Sequence, residues 1–166
     1  MKKVLIGSLV LFVILNSCAK NSSSGSCNPT YDACSVIAPE YEIDSVAKYL
    51  ITNGLYDSAA TKEHCSGFFY KIDSVGTGNA PTICSTITVK YQGRLKDGTT
   101  FDQSNGLSYP LAQFILGFRN GLMQIKTGGK IHLYIPPSLA YGNQAVGNIP
   151  PGSMLIFDVT LLSVQD

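Results

Sequence analysis

Tryptophan is missing from this 166-residue sequence, histidine occurs only twice, and 14% of the side chains are charged. Each shortage excludes something. Two histidines, His64 and His132, and cysteine spacings that follow no zinc pattern predict no metal centre. A formal charge of +1 with no basic block predicts no nucleic-acid partner, which would require a clustered basic face. No nucleophile elbow, phosphate loop or dinucleotide fingerprint occurs, and no internal repeat. His132 falls on the polar face of an alternating segment, which makes it an exposed strand residue rather than a general base. Any catalysis has to proceed without an obvious acid, base, metal or cofactor.

Apolar residues make up 45%, enough for a packed core. A hydrophobic run long enough to span a bilayer, ~20 residues, is lacking. Val4 to Leu15 is apolar except for Ser8 and Gly7, and it follows Met1-Lys2-Lys3, so residues 1–17 read as a signal peptide. Leu15-Asn16-Ser17-Cys18 resembles the bacterial lipoprotein processing motif. The resemblance implies cleavage before Cys18, lipidation of that cysteine, and membrane attachment at ~0.8 kcal/mol per buried methylene. Ala19-Lys20 lacks an acidic retention signal, which points to the cell envelope and to an outer membrane facing the periplasm. Outside the cytoplasm the remaining cysteines, Cys27, Cys34, Cys65 and Cys84, are expected to pair. Three connectivities are open, and Cys27–Cys34 with Cys65–Cys84 is the expected one.

Residues 18–38 read as a tether, Asn/Ser/Gly-rich from Lys20 to Pro29. Residues 39–66 form a helical extension. Ile43, Val46, Ala47, Leu50 and Ile51 fall on one face of a helix from Glu40 to Asn53, stopped at Gly54. Its stripe is expected to pack on the main domain, and a dimerisation helix is the other reading. From residue 67 to 166 strands dominate. Phe68 to Val75 is strand-like, Thr86 to Gln92 alternates through Ile87, Val89 and Tyr91, and Asp97-Gly98 supplies a hairpin turn back into Thr99 to Asp102. Gly117 to Lys126 carries Phe118, Leu122 and Ile125 at helical spacing, and Lys130 to Ile135 and Met154 to Val164 alternate again. The expected fold is α+β: a twisted antiparallel sheet wrapped around a short helix.

Three blocks, VKYQGRLKDGTTFDQS (Val89 to Ser104), FILGFRNGLMQIKTGGKIHLYIPPSLAYG (Phe114 to Gly142) and IPPGSMLIFDVTLL (Ile149 to Leu162), resemble the FKBP-type peptidyl-prolyl isomerases. The resemblance implies a pocket between sheet and helix, and a role for each matching residue. Tyr91, Phe101, Asp102, Tyr141 and Phe157 match catalytic positions. Phe118 matches the floor, and Tyr109, Phe114, Ile115 and Ile149 complete the substrate contacts, Ile115 through its amide and Tyr141 through its hydroxyl. It also implies proline-containing peptides and unfolded exported proteins as partners, no cofactor, and action as a monomer. Phe118 departs from the Trp frequent at the floor, and the stretches 103–108 and 143–148 are compact. These departures motivate an alternative, a proline-peptide-binding or holdase module with little turnover.

Overall fold

A computed structural model describes residues 30–166. The predicted signal peptide, the lipidation site Cys18 and most of the tether lie outside the described residues.

The first helix, α1, spans Glu40–Thr52. Pro39 precedes it, Glu40 and Glu42 place negative charge in its first turn, and Gly54 at φ 65° ends it. Six strands follow: β1 Thr61–Glu63, β2 Phe69–Ser74, β3 Thr86–Arg94, β4 Thr100–Pro110, β5 Lys130–Ile135 and β6 Leu155–Gln165. They form one antiparallel sheet in the order β1-β2-β5-β6-β3-β4. A second helix, α2, Leu116–Leu122, lies against the concave face, and 3₁₀ turns at Leu111–Gln113 and Pro137–Leu139 complete the elements. The expected α+β architecture is the observed one.

The core lies between α2 and the sheet. Ile87, Val89 and Tyr91 of β3, Ile131, Leu133 and Ile135 of β5, and Leu155, Phe157, Val159 and Leu161 of β6 point inward at the two-residue strand period and are buried. Helix α2 approaches closely because two small residues one turn apart face β5. A Cβ on Gly117 would stand 2.4 Å from the Ile135 side chain, and one on Gly121 would stand 2.4 Å from Leu133.

The opposite face of the sheet is covered in part by α1. Val46 and Leu50 pack with Phe69, Tyr134, Met154 and Ile156. Burial on both faces explains why Tyr134 and Ile156 are apolar at positions that alternation assigns to solvent. The helical stripe therefore closes on the chain's own sheet, while Ile51 at its edge stays 64% exposed.

Three expectations change. The returning strand does not stop at Asp102 but continues as β4 to Pro110, with two irregularities in its pairing with β3. Strand β1 falls within the extension read as helical and pairs with β2. The expected disulfides Cys27–Cys34 and Cys65–Cys84 are overturned: Cys34 joins Cys65 (Cα–Cα 5.5 Å), and Cys84 is disulfide-bonded as well. The cause is tertiary. Residues 30–38 fold back on the domain, where the Ala38 N–H donates to the Ser66 carbonyl at 2.9 Å, which brings Cys34 beside the 64–66 loop.

Candidate functional site

The site is built where β3, β4 and β6 face α2. Strand β4 reaches it through a bulge. Gly93 pairs with Asp102 and Arg94 with Thr100, so Phe101 is the extra residue on β4. A bulge breaks alternation, and Phe101 and Asp102, though adjacent, are both 8% exposed and turned inward. The opposite strand makes room at Gly93, where a Cβ would stand 2.6 Å from the Phe101 ring and 2.9 Å from the Phe157 ring. Gly93 is thus a site residue that the sequence analysis missed. A glycine inside a strand is the signal that points to such a close approach.

Around this notch the rings form a continuous set. Phe118, fully buried on α2, meets Phe157 edge-on at 5.1 Å and Tyr91 edge-on at 6.0 Å, and stacks on Phe114 at 4.8 Å. Phe157 meets Phe101 edge-on at 5.5 Å, and Phe114 meets Tyr109 at 5.8 Å. These are the offset and T-shaped geometries that ring quadrupoles favour. Six of the ten predicted residues are therefore linked ring to ring.

Polar groups sit at one side of the set. The Tyr91 hydroxyl donates to Asp102 Oδ2 at 2.5 Å, and the Gln103 N–H donates to Asp102 Oδ1 at 2.9 Å. Tyr141, half-buried, follows the Pro137–Leu139 turn. Burial pushes its hydroxyl pKa up to about 12, and the nearby Asp102 charge adds to the rise, so it stays protonated as a hydrogen-bond donor. Ile115 precedes α2 with extended backbone (φ −57°, ψ 151°), and its carbonyl accepts from the Arg119 N–H. Among the described residues no backbone carbonyl accepts from the Ile115 N–H. Ile149 is buried in the same core cluster and is held by paired backbone hydrogen bonds with Val146, 2.9 and 3.1 Å, across a tight turn. All ten predicted positions converge on one side of the sheet around α2.

His132 lies on the other face. It is half-buried between Asp158 (2.6 Å to Nδ1) and Asp73 (2.7 Å to Nε2). The two carboxylates raise its pKa against the effect of burial. It takes no part in the aromatic set. Among the described residues no cluster of His, Cys, Asp or Glu could hold a metal ion, and no helix is long and apolar enough to cross a membrane.

An antiparallel sheet packed on one short helix thus carries an aromatic cluster with the polar atoms of Tyr91, Asp102 and Tyr141 at its edge. Comparison with known proteins names the family. Residues 78–162 match the family model "FKBP-type peptidyl-prolyl cis-trans isomerase", and the chain belongs to that family. It is 46% identical over 108 residues to the FKBP-type peptidyl-prolyl cis-trans isomerase FkpA of Escherichia coli K12, covering 63% of this chain and 40% of that protein. It is 42% identical over 121 residues to a probable FkpA of Neisseria meningitidis serogroup B, covering 70% and 44%. The chain thus spans less than half the length of these curated relatives. Among solved structures, FkpA from Escherichia coli superposes with a TM-score of 0.68 at 40% identity, covering 75% of this chain and 60% of that one. A peptidyl-prolyl cis-trans isomerase from Pseudomonas syringae pv. tomato superposes at 0.66 and 31% identity, covering 78% and 98%.

Proposed function

We propose that this chain catalyses rotation about Xaa-Pro peptide bonds in exported polypeptides, in the cell envelope. The observation that carries this reading is the linked ring set of Phe118, Phe157, Tyr91 and Phe101, with Tyr141 protonated beside it.

Amide rotation meets a barrier of ~18–20 kcal/mol because the C–N bond has partial double-bond character. In the twisted transition state conjugation is lost and the carbonyl is less polar. A dry aromatic basin favours that state over the planar one, which is differential binding and needs no acid, base or cofactor. Phe118 would form the floor, with Tyr91, Phe101, Ile149 and Phe157 as walls around the proline ring. The Tyr141 hydroxyl would donate to the substrate carbonyl, and the Ile115 N–H would hold the chain on the far side, with Tyr109 and Phe114 flanking it. Lowering the barrier by about 5–7 kcal/mol accelerates rotation about 10⁴- to 10⁵-fold. Lipidation at Cys18 and an outer-membrane anchor would place this activity where translocated chains emerge.

The test is exchange NMR on a short Xaa-Phe-Pro-Xaa peptide with the wild-type chain beside Tyr141→Phe and Phe101→Ala. Acceleration by wild type that falls in both variants supports the reading. A folded wild type that leaves the exchange rate unchanged overturns it.

A further inference from the structure

The family match begins at residue 78, yet two contacts from residues far upstream reach the backbone that carries the site. The first comes from α1. Glu42 Oε2 accepts the Ser138 N–H at 2.9 Å. Ser138 lies in the Pro137–Leu139 turn, and the Gly142 N–H closes that turn on the Pro137 carbonyl at 2.8 Å, with Tyr141 enclosed in the loop between them. A hydrogen bond to a carboxylate is stronger than one between neutral groups, so α1 fixes the base of the loop that aims the Tyr141 hydroxyl.

The second contact comes from the segment before α1. The Tyr31 hydroxyl donates to Asn120 Oδ1 at 2.6 Å and accepts from Arg119 Nε at 3.1 Å, with the guanidinium 5.0 Å over the Tyr31 ring. Asn120 Nδ2 returns a bond to the Ala33 carbonyl at 2.9 Å. The same Arg119 donates through Nη1 to the Ala112 carbonyl at 2.9 Å, in the Leu111–Gln113 turn that delivers Phe114 and Ile115. The Cys34–Cys65 disulfide ties this segment down three residues further on.

The two contacts bear on two separate loops of the site. One bears on the donor that meets the substrate carbonyl, the other on the amide that holds the flanking chain. We propose that residues 30–52 are a positioning element of the isomerase site, with Glu42 setting Tyr141 and Tyr31 setting Ile115 through Arg119. The proposal rests on the isomerase reading above. The basin that buries the proline ring is left untouched by either residue, so loss of a brace should act on the transition state more than on substrate affinity.

The experiment uses the full chain with Glu42→Ala, Glu42→Gln and Tyr31→Phe. kcat and KM come from exchange NMR, and the folded fraction from near-ultraviolet circular dichroism at the same temperature. Glu42→Ala is expected to lower kcat about 3- to 10-fold with KM within about twofold, and Tyr31→Phe to lower it about 2- to 5-fold. Glu42→Gln keeps an acceptor oxygen for the Ser138 N–H and should recover most of kcat. Unchanged kcat in Glu42→Ala and Tyr31→Phe overturns the proposal. So does a kcat loss that only follows the folded fraction, or a Glu42→Gln variant as impaired as Glu42→Ala. A wild type without turnover overturns the isomerase reading instead. The braces are then read from backbone amide resonances: a shift of Tyr141 in Glu42→Ala and of Ile115 in Tyr31→Phe supports them, and unchanged resonances overturn them.

Discussion

The Tyr91 hydroxyl and the Asp102 carboxylate meet at 2.5 Å across two paired strands, both side chains buried. Tyr91 pairs with Ser104 and Gly93 with Asp102, so regular pairing sets Asp102 diagonal to Tyr91 on the same face of the sheet. The bulge comes one residue later and turns the Phe101 ring inward beside the pair. Asp102→Ala would leave the Tyr91 hydroxyl without this acceptor inside the core, at a cost of about 1–3 kcal/mol. Urea unfolding should show that loss, and Tyr91→Phe with Asp102→Ala should be less destabilised than the two single effects added together. An additive double variant would mean that the bond contributes nothing to stability.

Gly93 tests how tightly the site is built. A methyl group at Gly93 has to push aside the Phe101 and Phe157 rings, which lie 2.6 and 2.9 Å from where it would stand. Overpacking of this kind costs about 1–3 kcal/mol. Gly93→Ala should therefore lower both the urea midpoint and kcat/KM for a proline peptide. Gly98→Ala, in open space at the hairpin turn, should strain only its local backbone and leave kcat/KM unchanged. Equal kcat/KM in Gly93→Ala and wild type would show that the notch tolerates the methyl group.

Gly93 also shows where the sequence could be read and where it could not. Periodicity identified the inward faces of β3, β5 and β6 and the stripe of α1, because a side chain's direction in a regular element follows from its position. The three family-like blocks hold nine of the ten site positions, with Tyr109 in the gap between the first two, and the structure gathers all ten around α2. The exceptions are places where tertiary contacts decide. The bulge at Phe101 adds one residue to one strand, and no local pattern marks it. Strand β1 is three residues long, too short for a period. The Cys34–Cys65 pairing depends on residues 30–38 folding back over the domain, and spacing along the chain carries no trace of that. Tyr31 falls in the stretch read as tether and Glu42 lies off the apolar stripe of α1, and their partners are about 90 residues away along the chain.

The disulfide has a direct consequence. Cys34–Cys65 closes a 31-residue separation that includes α1 and β1. A loop of that size restricts the unfolded chain by about 3.7 kcal/mol in the chain-entropy model. Cys34→Ser with Cys65→Ser should lower the stability measured in urea by about 2–4 kcal/mol. Non-reducing peptide mapping should recover a peptide pair joined through Cys34 and Cys65. Recovery of Cys34 linked to any other cysteine would contradict the structure.

The Tyr141 hydroxyl, with its pKa pushed up to about 12 by burial and by Asp102, gives the activity a pH signature. It remains a donor throughout the neutral range, and neither described histidine belongs to the ring set. The log of kcat/KM plotted against pH should be flat from about pH 6 to 9, where a general-base mechanism would show a limb near an ordinary histidine value. A limb in that range would assign the chemistry to an ionising group and remove the purely apolar mechanism.

Stability, in contrast, should depend on pH through the opposite face. His132 joins Asp73 on β2 and Asp158 on β6, and Arg94 on β3 pairs with the same Asp158. Lys71 of β2 is the direct register partner of His132 and opposes its charge from the same face. The hydrogen bond to Asp158 is the largest cause of the raised His132 pKa, and the bond to His132 is the largest cause of the lowered Asp158 pKa. The signs follow from linkage. A raised histidine pKa adds stability that is fully present below the unfolded value of about 6.5 and is lost as pH rises through the folded value. A lowered aspartate pKa adds stability that is present above the unfolded value of about 3.9 and is lost as pH falls through the folded value. The network therefore contributes most between about pH 4 and 6.5. Urea midpoints of wild type should fall from pH 6 towards pH 8.5, and His132→Gln should flatten that limb. All three side chains of the triad are about a third or more exposed, so salt screens them and 0.5 M NaCl should shrink the difference. A wild-type midpoint that is level from pH 6 to 8.5, or a His132→Gln variant with the same slope, would show that the two carboxylates do not hold a charged imidazolium between them.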